Sequence, residues 1–139
     1  MNSRLNVEVR EKRGLVYGID AYLNSYPDAG YWNVYFGCDQ ADINRCLKIV
    51  RRELDKLIAA PLSPARLKIA KAQLCGQIGI GADNNESHAL ALGKTFAHTG
   101  KIRNVTTVMD GIADVTAEEL QQLATEIYDP EKIVTLIYK

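Results

Sequence analysis

The chain has 139 residues, 47% of them hydrophobic, and its 17 basic and 17 acidic side chains cancel to a formal net charge of zero with histidine neutral. That length suits one domain able to bury a core, and a balanced charge without a long like-charge block argues against nucleic acid as a partner. The apolar runs are only a few residues long and the first residues carry no charged-then-apolar pattern, so the sequence offers neither a membrane span nor an export signal.

Leu5 and Val9 stand four apart and share one face of a short first helix, with Lys12 and Arg13 in its last turn, where cations favour the negative end of the helix dipole. Gly14 falls where a left-handed C-terminal residue is expected. From Leu15 the pattern changes to alternation: Leu15, Tyr17, Ile19, Ala21 and Leu23 against Val16, Gly18, Asp20, Tyr22 and Asn24, the periodicity of a strand. Arg10 is therefore expected on a helix and Tyr17 on a strand, seven residues on. Arginine offers a planar fork of donors suited to a carboxylate or a peptide carbonyl, and tyrosine a hydroxyl on an apolar body. Spacing alone leaves two readings open: a pair of substrate donors, or a solvated helix-end cation beside an ordinary strand aromatic.

Tyr26-Pro27-Asp28-Ala29-Gly30 is a hairpin signal, because proline presets one turn dihedral and glycine accepts the awkward one. The second strand spans Tyr31 to Gly37, with Trp32, Val34 and Phe36 on one side and Tyr31, Asn33 and Tyr35 on the other. Five of the seven tyrosines lie between Tyr17 and Tyr35, which suits a peptide-binding wall or simply cross-strand packing.

Asp39 can cap the next helix, whose stripe is Ile43, Cys46, Leu47, Val50, Leu54 and Leu57; Arg45, Lys48, Arg51 and Arg52, interspersed with Asp42, Glu53 and Asp55, read as a solvated face. Pro61 ends it, and Ser63-Pro64 opens another helix through Ile69, Ala70, Leu74 and Ile78. Gly76, Gly79 and Gly81 are expected to loosen its end and to serve close helix packing, since no strand precedes them and no phosphate-binding lysine accompanies them. Asp83-Asn84-Asn85 reads as the end of that helix or a bend before another helical stretch from Glu86 to about Thr99; Asn104 opens a short one, and Thr116 to Glu119 is a capping box. Ile133 to Tyr138 is expected to be a terminal strand. The fold class is therefore α+β, a mainly antiparallel sheet with helices packed on one face.

No catalytic centre is visible. His88 and His98 lie too far apart in sequence for the four-apart helical zinc pair, and Cys38, Cys46 and Cys75 lack metal-ligand spacing and read as free thiols. Nucleophile elbow, phosphate loop and paired acid/base carboxylates are all missing.

The opening run ending in Arg10-Glu-Lys-Arg-Gly-Leu-Val-Tyr17, the segment Tyr22 to Gly30, and a second strand closing on Gly37-Cys-Asp39 resemble the non-catalytic half of the pitrilysin and insulinase family, the zinc peptidases with the inverted H-x-x-E-H motif that include the mitochondrial processing peptidases. The likeness continues through Leu62 to Leu74 and Thr116 to Leu123. In that family two similar halves, on one chain or two, enclose a chamber. One half holds zinc, and the other contributes an arginine and a tyrosine near the scissile bond.

The resemblance implies that Arg10 engages a substrate carbonyl and that Tyr17 holds the substrate or stabilises the developing oxyanion. It implies a peptide as substrate, no catalytic residue and no metal ligand in this chain, zinc in the catalytic half, and that half as a partner on the same chain or another subunit. It also implies that residues 1–139 are one N-terminally truncated half-domain, whose unpaired sheet edge invites self-association. A non-catalytic scaffold subunit of the same family and a module binding through the tyrosine-rich hairpin are the alternatives. Alternation puts Tyr17 with Ile19, on the face otherwise expected to be core, so which sheet face the helices cover stays open in the sequence.

Overall fold

The structure, a computed structural model, describes residues 3–26 and 28–138. They form two compact units, Met1–Ala60 with Leu123–Lys139, and Pro61–Gln122.

In the first unit the Val7 amide donates to the Ser3 carbonyl at 3.0 Å, and the Lys12 amide reaches back five residues to Val7 at 3.0 Å. The first helix therefore widens into a π-helical turn over Asn6–Glu11. Leu5 and Val9 do share its buried face: Val9 is fully buried and Leu5 packs against the core. Gly14 ends the turn at φ +61°, its amide donating to the Arg10 carbonyl at 2.8 Å, the left-handed stop its position predicts.

Strand alternation does not begin where the sequence pattern suggested. Leu15 and Val16 are both buried, at 8% and 6% exposure, because the chain is not yet a strand and both side chains turn into the core. Strand β1 covers Gly18–Ser25 and pairs antiparallel with β2, Gly30–Gly37, in unbroken register from Gly18↔Gly37 to Ser25↔Gly30. Tyr17 thus lies one residue ahead of β1, its amide donating to the Gly37 carbonyl at 2.9 Å. The hairpin turn closes through the Tyr26 amide on the Ala29 carbonyl at 2.8 Å; Pro27, to which one turn dihedral was assigned, lies outside the described residues.

Opposed residues share a sheet face, so Ile19, Ala21 and Leu23 lie with Phe36, Val34 and Trp32, and Asp20, Tyr22 and Asn24 with Tyr35, Asn33 and Tyr31. Of the first set, Ile19 joins Val9, Leu15, Val16 and, from helix α1 (Ile43–Ala59), Cys46, Ile49, Val50 and Leu54 in one core, with Trp32, Val34 and Phe36 packed against it, while Ala21 and Leu23 are exposed. The face bearing Ile19 is the covered one. Glu53, grouped in the sequence with the solvated face, is buried at 3% exposure and ion-paired with Arg4 at 3.2 Å and Lys56 at 2.6 Å. These ion pairs offset the cost of burying its carboxylate.

Near the other end of the chain the Trp32 Nε1 donates to the Ile127 carbonyl at 3.2 Å, and the Trp32 and Tyr128 rings meet edge to face with centroids 4.6 Å apart. Beyond them the expected terminal strand is not formed. Among the described residues the sheet has two strands, and Val134, Leu136, Ile137 and Tyr138 are exposed. The segment has strand composition, but neither hairpin edge takes it as a ladder partner, and without a ladder a strand has little to hold it.

The second unit holds α2 (Pro64–Ala82), α3 (Asn85–Thr99), α4 (Val105–Asp114) and the start of α5 (Ala117–Ile127). Asn104 opens α4 as the sequence indicates, its Oδ1 accepting from the Thr107 amide at 2.7 Å; Asn84, expected only to end or bend the preceding helix, also caps α3, its Oδ1 accepting from the Ser87 amide at 2.9 Å, whereas Ser63, expected to cap α2, makes no side-chain capping bond. Thr116 and Glu119 exchange both bonds of a capping box. Helix α2 runs unbroken through its three glycines, contrary to the loosening expected, and a Cβ at Gly79 would sit 3.7 Å from Met109 Cε of α4. Close approach is served there; at Gly76 and Gly81 a Cβ would meet open space.

Candidate functional site

Three basic residues crowd the end of the first helix, and two of them are spent locally. Lys12 Nζ lies 2.5 Å from Glu8 Oε1 and Arg13 Nη1 lies 2.8 Å from Glu8 Oε2, and these two cations hold the Glu8 carboxyl down at about 2. Arg13 also donates to the Glu8 carbonyl. Arg10, on the π-helical turn, is exposed, and among the described residues its guanidinium has no hydrogen-bond or ion-pair partner. Glu8 therefore absorbs the neighbouring charge and leaves one guanidinium available.

Tyr17 is 76% exposed despite its place in the alternation, because the chain bends there before β1 starts. Its hydroxyl donates to Asp39 Oδ1 at 2.9 Å. That hydrogen bond, and then the Asp39 charge, raise the Tyr17 phenol above the ordinary tyrosine range. Asp39 does stand at a helix start, its carbonyl accepting from the Asp42 amide at 2.9 Å in the short 3-10 turn Gln40–Asp42, but its carboxylate makes no capping bond. The capping role expected of its side chain is replaced by the bond to Tyr17.

Arg10 and Tyr17 are not hydrogen-bonded to each other. They are exposed at the two ends of a link whose middle is fixed: Gly14 sets the turn, and Leu15 and Val16 are anchored in the core. Asp39 is the member of this constellation that the sequence reading took only for a helix cap. The signal lay in the hairpin register, for extending the Gly18↔Gly37 pair by one step sets Tyr17 opposite Cys38, next to Asp39.

The other candidates carry less. Cys46 is fully buried, burial pushes its thiol up to about 11, and Sγ faces the Leu15 carbonyl at 3.9 Å; Cys38 and Cys75 are half-buried and free. His88 and His98 both lie on α3, the first half-buried and the second exposed. Zinc needs three or four converging donors, and among the described residues no three His, Cys, Asp or Glu side chains cluster to hold a metal ion. The described residues thus offer no donor set that fits a zinc ion.

Residues 1–74 match the family model described as the peptidase M16 inactive domain. The chain belongs to the peptidase M16 family. It is 33% identical over 127 residues to an uncharacterized zinc protease of Streptomyces coelicolor, across 91% of this chain and 28% of that protein. It is 25% identical over 137 residues to the uncharacterized zinc protease YmxG of Bacillus subtilis, across 99% of this chain and 34% of that protein. The M16 chain thus spans about a third or less of the length of these relatives. A chain of Complex III2 from Candida albicans, in its Inz-5-bound form, has the same fold at a TM-score of 0.79 and 17% identity, over 91% of this chain and 30% of that one. The resemblance drawn from the Arg10 to Tyr17 run is to the family found here, and the α+β architecture agrees with it. Among the described residues, no helix of this M16 chain is long and apolar enough to cross a membrane.

Proposed function

We propose that this M16 chain is the substrate-binding, non-catalytic half of a zinc-dependent metalloendopeptidase, with a peptide or unfolded polypeptide as substrate. One observation carries the reading: within the segment that matches the inactive-domain model, Arg10 is the cation left free at its helix end, and it is linked to an exposed tyrosine by a turn anchored in the core. Arg10 donates to a substrate carbonyl, and Tyr17 makes a second polar contact to the same extended chain. The zinc and the attacking water belong to an H-x-x-E-H half, carried on the same polypeptide or on a partner subunit. The test is reconstitution. Mixed with a zinc-loaded polypeptide carrying H-x-x-E-H, the chain restores cleavage of a quenched fluorogenic peptide that neither component cleaves alone.

The uncovered hairpin face favours a second reading, recognition of a polypeptide through tyrosines. Tyr22, Tyr31 and Tyr35 are all more than half exposed there, and the Tyr26 and Tyr31 rings stack at 6.5 Å. Substitutions at those three positions would then abolish binding while Arg10→Ala left it intact. Self-association through an unpaired sheet edge is a further proposal, supported by a sheet of only two strands among the described residues and by the exposure of Val134, Leu136, Ile137 and Tyr138.

A further inference from the structure

We infer that the outer face of α1 is a docking surface for an acidic polypeptide segment, with Lys48 and Arg51 as its charge contacts and Leu47 as its apolar floor. The inference goes beyond the Arg10 and Tyr17 reading and does not rest on it. Helix α1 turns Cys46, Ile49, Val50 and Leu54 into the core. Asn44, Lys48, Arg51 and Asp55 follow a four, three, four spacing, which sets them in one row on the side of the helix away from that core. All four are exposed, and Asn44, Lys48 and Arg51 frame a hollow of about 320 Å³ together with the half-buried Leu47. The hollow lies on the helix side of the hairpin, so the sheet separates it from the uncovered tyrosine face.

Charge on this helix is unevenly spent. Arg52 and Lys56 lie 3.7 and 2.6 Å from the buried Glu53, which turns one of the acidic residues of α1 away from its outer face. Lys48 and Arg51 have no ion-pair or hydrogen-bond partner among the described residues, and Arg45 adds a third unpaired cation one turn before Lys48. An ammonium and a guanidinium supply only donors, and carboxylates are the acceptors that match them. Three residues apart on a helix, the two side chains start about 5–6 Å from each other. Same-side residues of an extended chain stand about 7 Å apart, so two carboxylates of one acidic segment can reach both cations. The methylene stem of a glutamate then covers Leu47 while its head stays with the charges. Asp55 closes the row and repels a uniform polyanion, and the zero net charge gives no long-range pull toward nucleic acid or an anionic membrane. A polypeptide of mixed polarity fits both facts.

The test uses the 139-residue chain. The probes are a labelled, acetylated and amidated Glu-Ala repeat peptide, its Gln-Ala and Lys-Ala counterparts, an oligothymidylate, and phosphatidylcholine vesicles containing phosphatidylserine. Affinity is read by fluorescence anisotropy, and by co-sedimentation for the vesicles. The variants are Lys48→Gln with Arg51→Gln, Lys48→Glu with Arg51→Glu, and a control, Lys94→Glu with Arg103→Glu, which makes the same change in net charge at exposed positions of the second unit. Wild type is expected to bind the Glu-Ala peptide more tightly than the Gln-Ala one. The Gln pair should weaken the Glu-Ala peptide roughly 3- to 10-fold, the worth of two exposed charge contacts, and the Glu pair should reverse the preference toward Lys-Ala. The control should keep the wild-type preference. Should the charge reversal unfold the chain, as far-UV circular dichroism would report, the Gln pair decides the matter. The inference is overturned if wild type binds the Glu-Ala and Gln-Ala peptides alike or binds neither, or if the control loses as much as the groove variants. It is also overturned if oligothymidylate or the vesicles bind more tightly than the Glu-Ala peptide and the groove variants abolish that binding, which would assign the surface to a nucleic acid or a membrane.

Discussion

The Tyr17 hydroxyl donates to Asp39 Oδ1 across 22 residues of sequence, and the antiparallel register of β1 and β2 is what makes them neighbours. The hairpin thus does more than cover α1. Its register sets Asp39, two residues past β2, beside the exposed Tyr17, while Glu8 pairs with two of the three nearby cations and leaves Arg10 free. Local electrostatics around the Gly14 turn distinguish this end of the molecule.

Gly14 should be intolerant of a side chain for a purely conformational reason. A Cβ there would meet nothing within 4 Å, but φ is +61°, where L residues are disfavoured. Gly14→Ala is expected to lower unfolding free energy by about 1–2 kcal/mol in chemical denaturation.

Glu8 makes the fold sensitive to acid in a defined window. Its carboxyl is held at about 2 against an ordinary 4.5 by Lys12 and then Arg13, so its contribution is present above about 4.5 and is lost as pH falls through 2. The urea midpoints of wild type and Glu8→Gln should differ at neutral pH and converge toward pH 2; a constant difference across that range would contradict the assignment.

Trp32 is the only tryptophan and reports directly on the packing of Tyr128. Tyr128→Ala removes the edge-to-face ring while leaving the Trp32 bond to the Ile127 carbonyl, and should cost about 2–4 kcal/mol as a large-to-small change at a half-buried site. Native tryptophan emission should shift to the red in the same variant.

The apolar segment 133–138 should make the chain associate. Light scattering at micromolar concentration is expected to give a mass above that of one 15.4 kDa chain, falling when Val134 and Leu136 are changed to lysine. A monomer in both cases would remove self-association from the account.

Much of this architecture was legible because local chemistry settles it. Asn104 and the Thr116/Glu119 box cap their helices as their side chains require, and Gly14 turns the chain where a basic last turn ends. What failed were features set at a distance. Leu15 and Val16 are both buried because the core draws them in before any ladder starts. Glu53 is buried on a helix face that looked solvated, its charge offset by Arg4, 49 residues away, as well as by the nearby Lys56. The segment 133–138 has strand composition, but composition does not supply a partner edge. Asp39 looked like a helix cap, since nothing in its own neighbourhood indicates a tyrosine that only strand pairing brings to it.

The central claim is that Arg10 and Tyr17 bind substrate for a catalytic half that lies elsewhere. Its most direct measurement is kcat/KM for a fluorogenic peptide in the complex reconstituted with the zinc-loaded half, comparing Arg10→Ala and Tyr17→Phe with Arg13→Ala, whose guanidinium is already spent on Glu8. The account predicts losses of about 10- to 100-fold for Arg10→Ala and a smaller loss for Tyr17→Phe, with unchanged folding and near wild-type activity for Arg13→Ala. Wild-type kcat/KM in both Arg10→Ala and Tyr17→Phe, in an otherwise active complex, would contradict it.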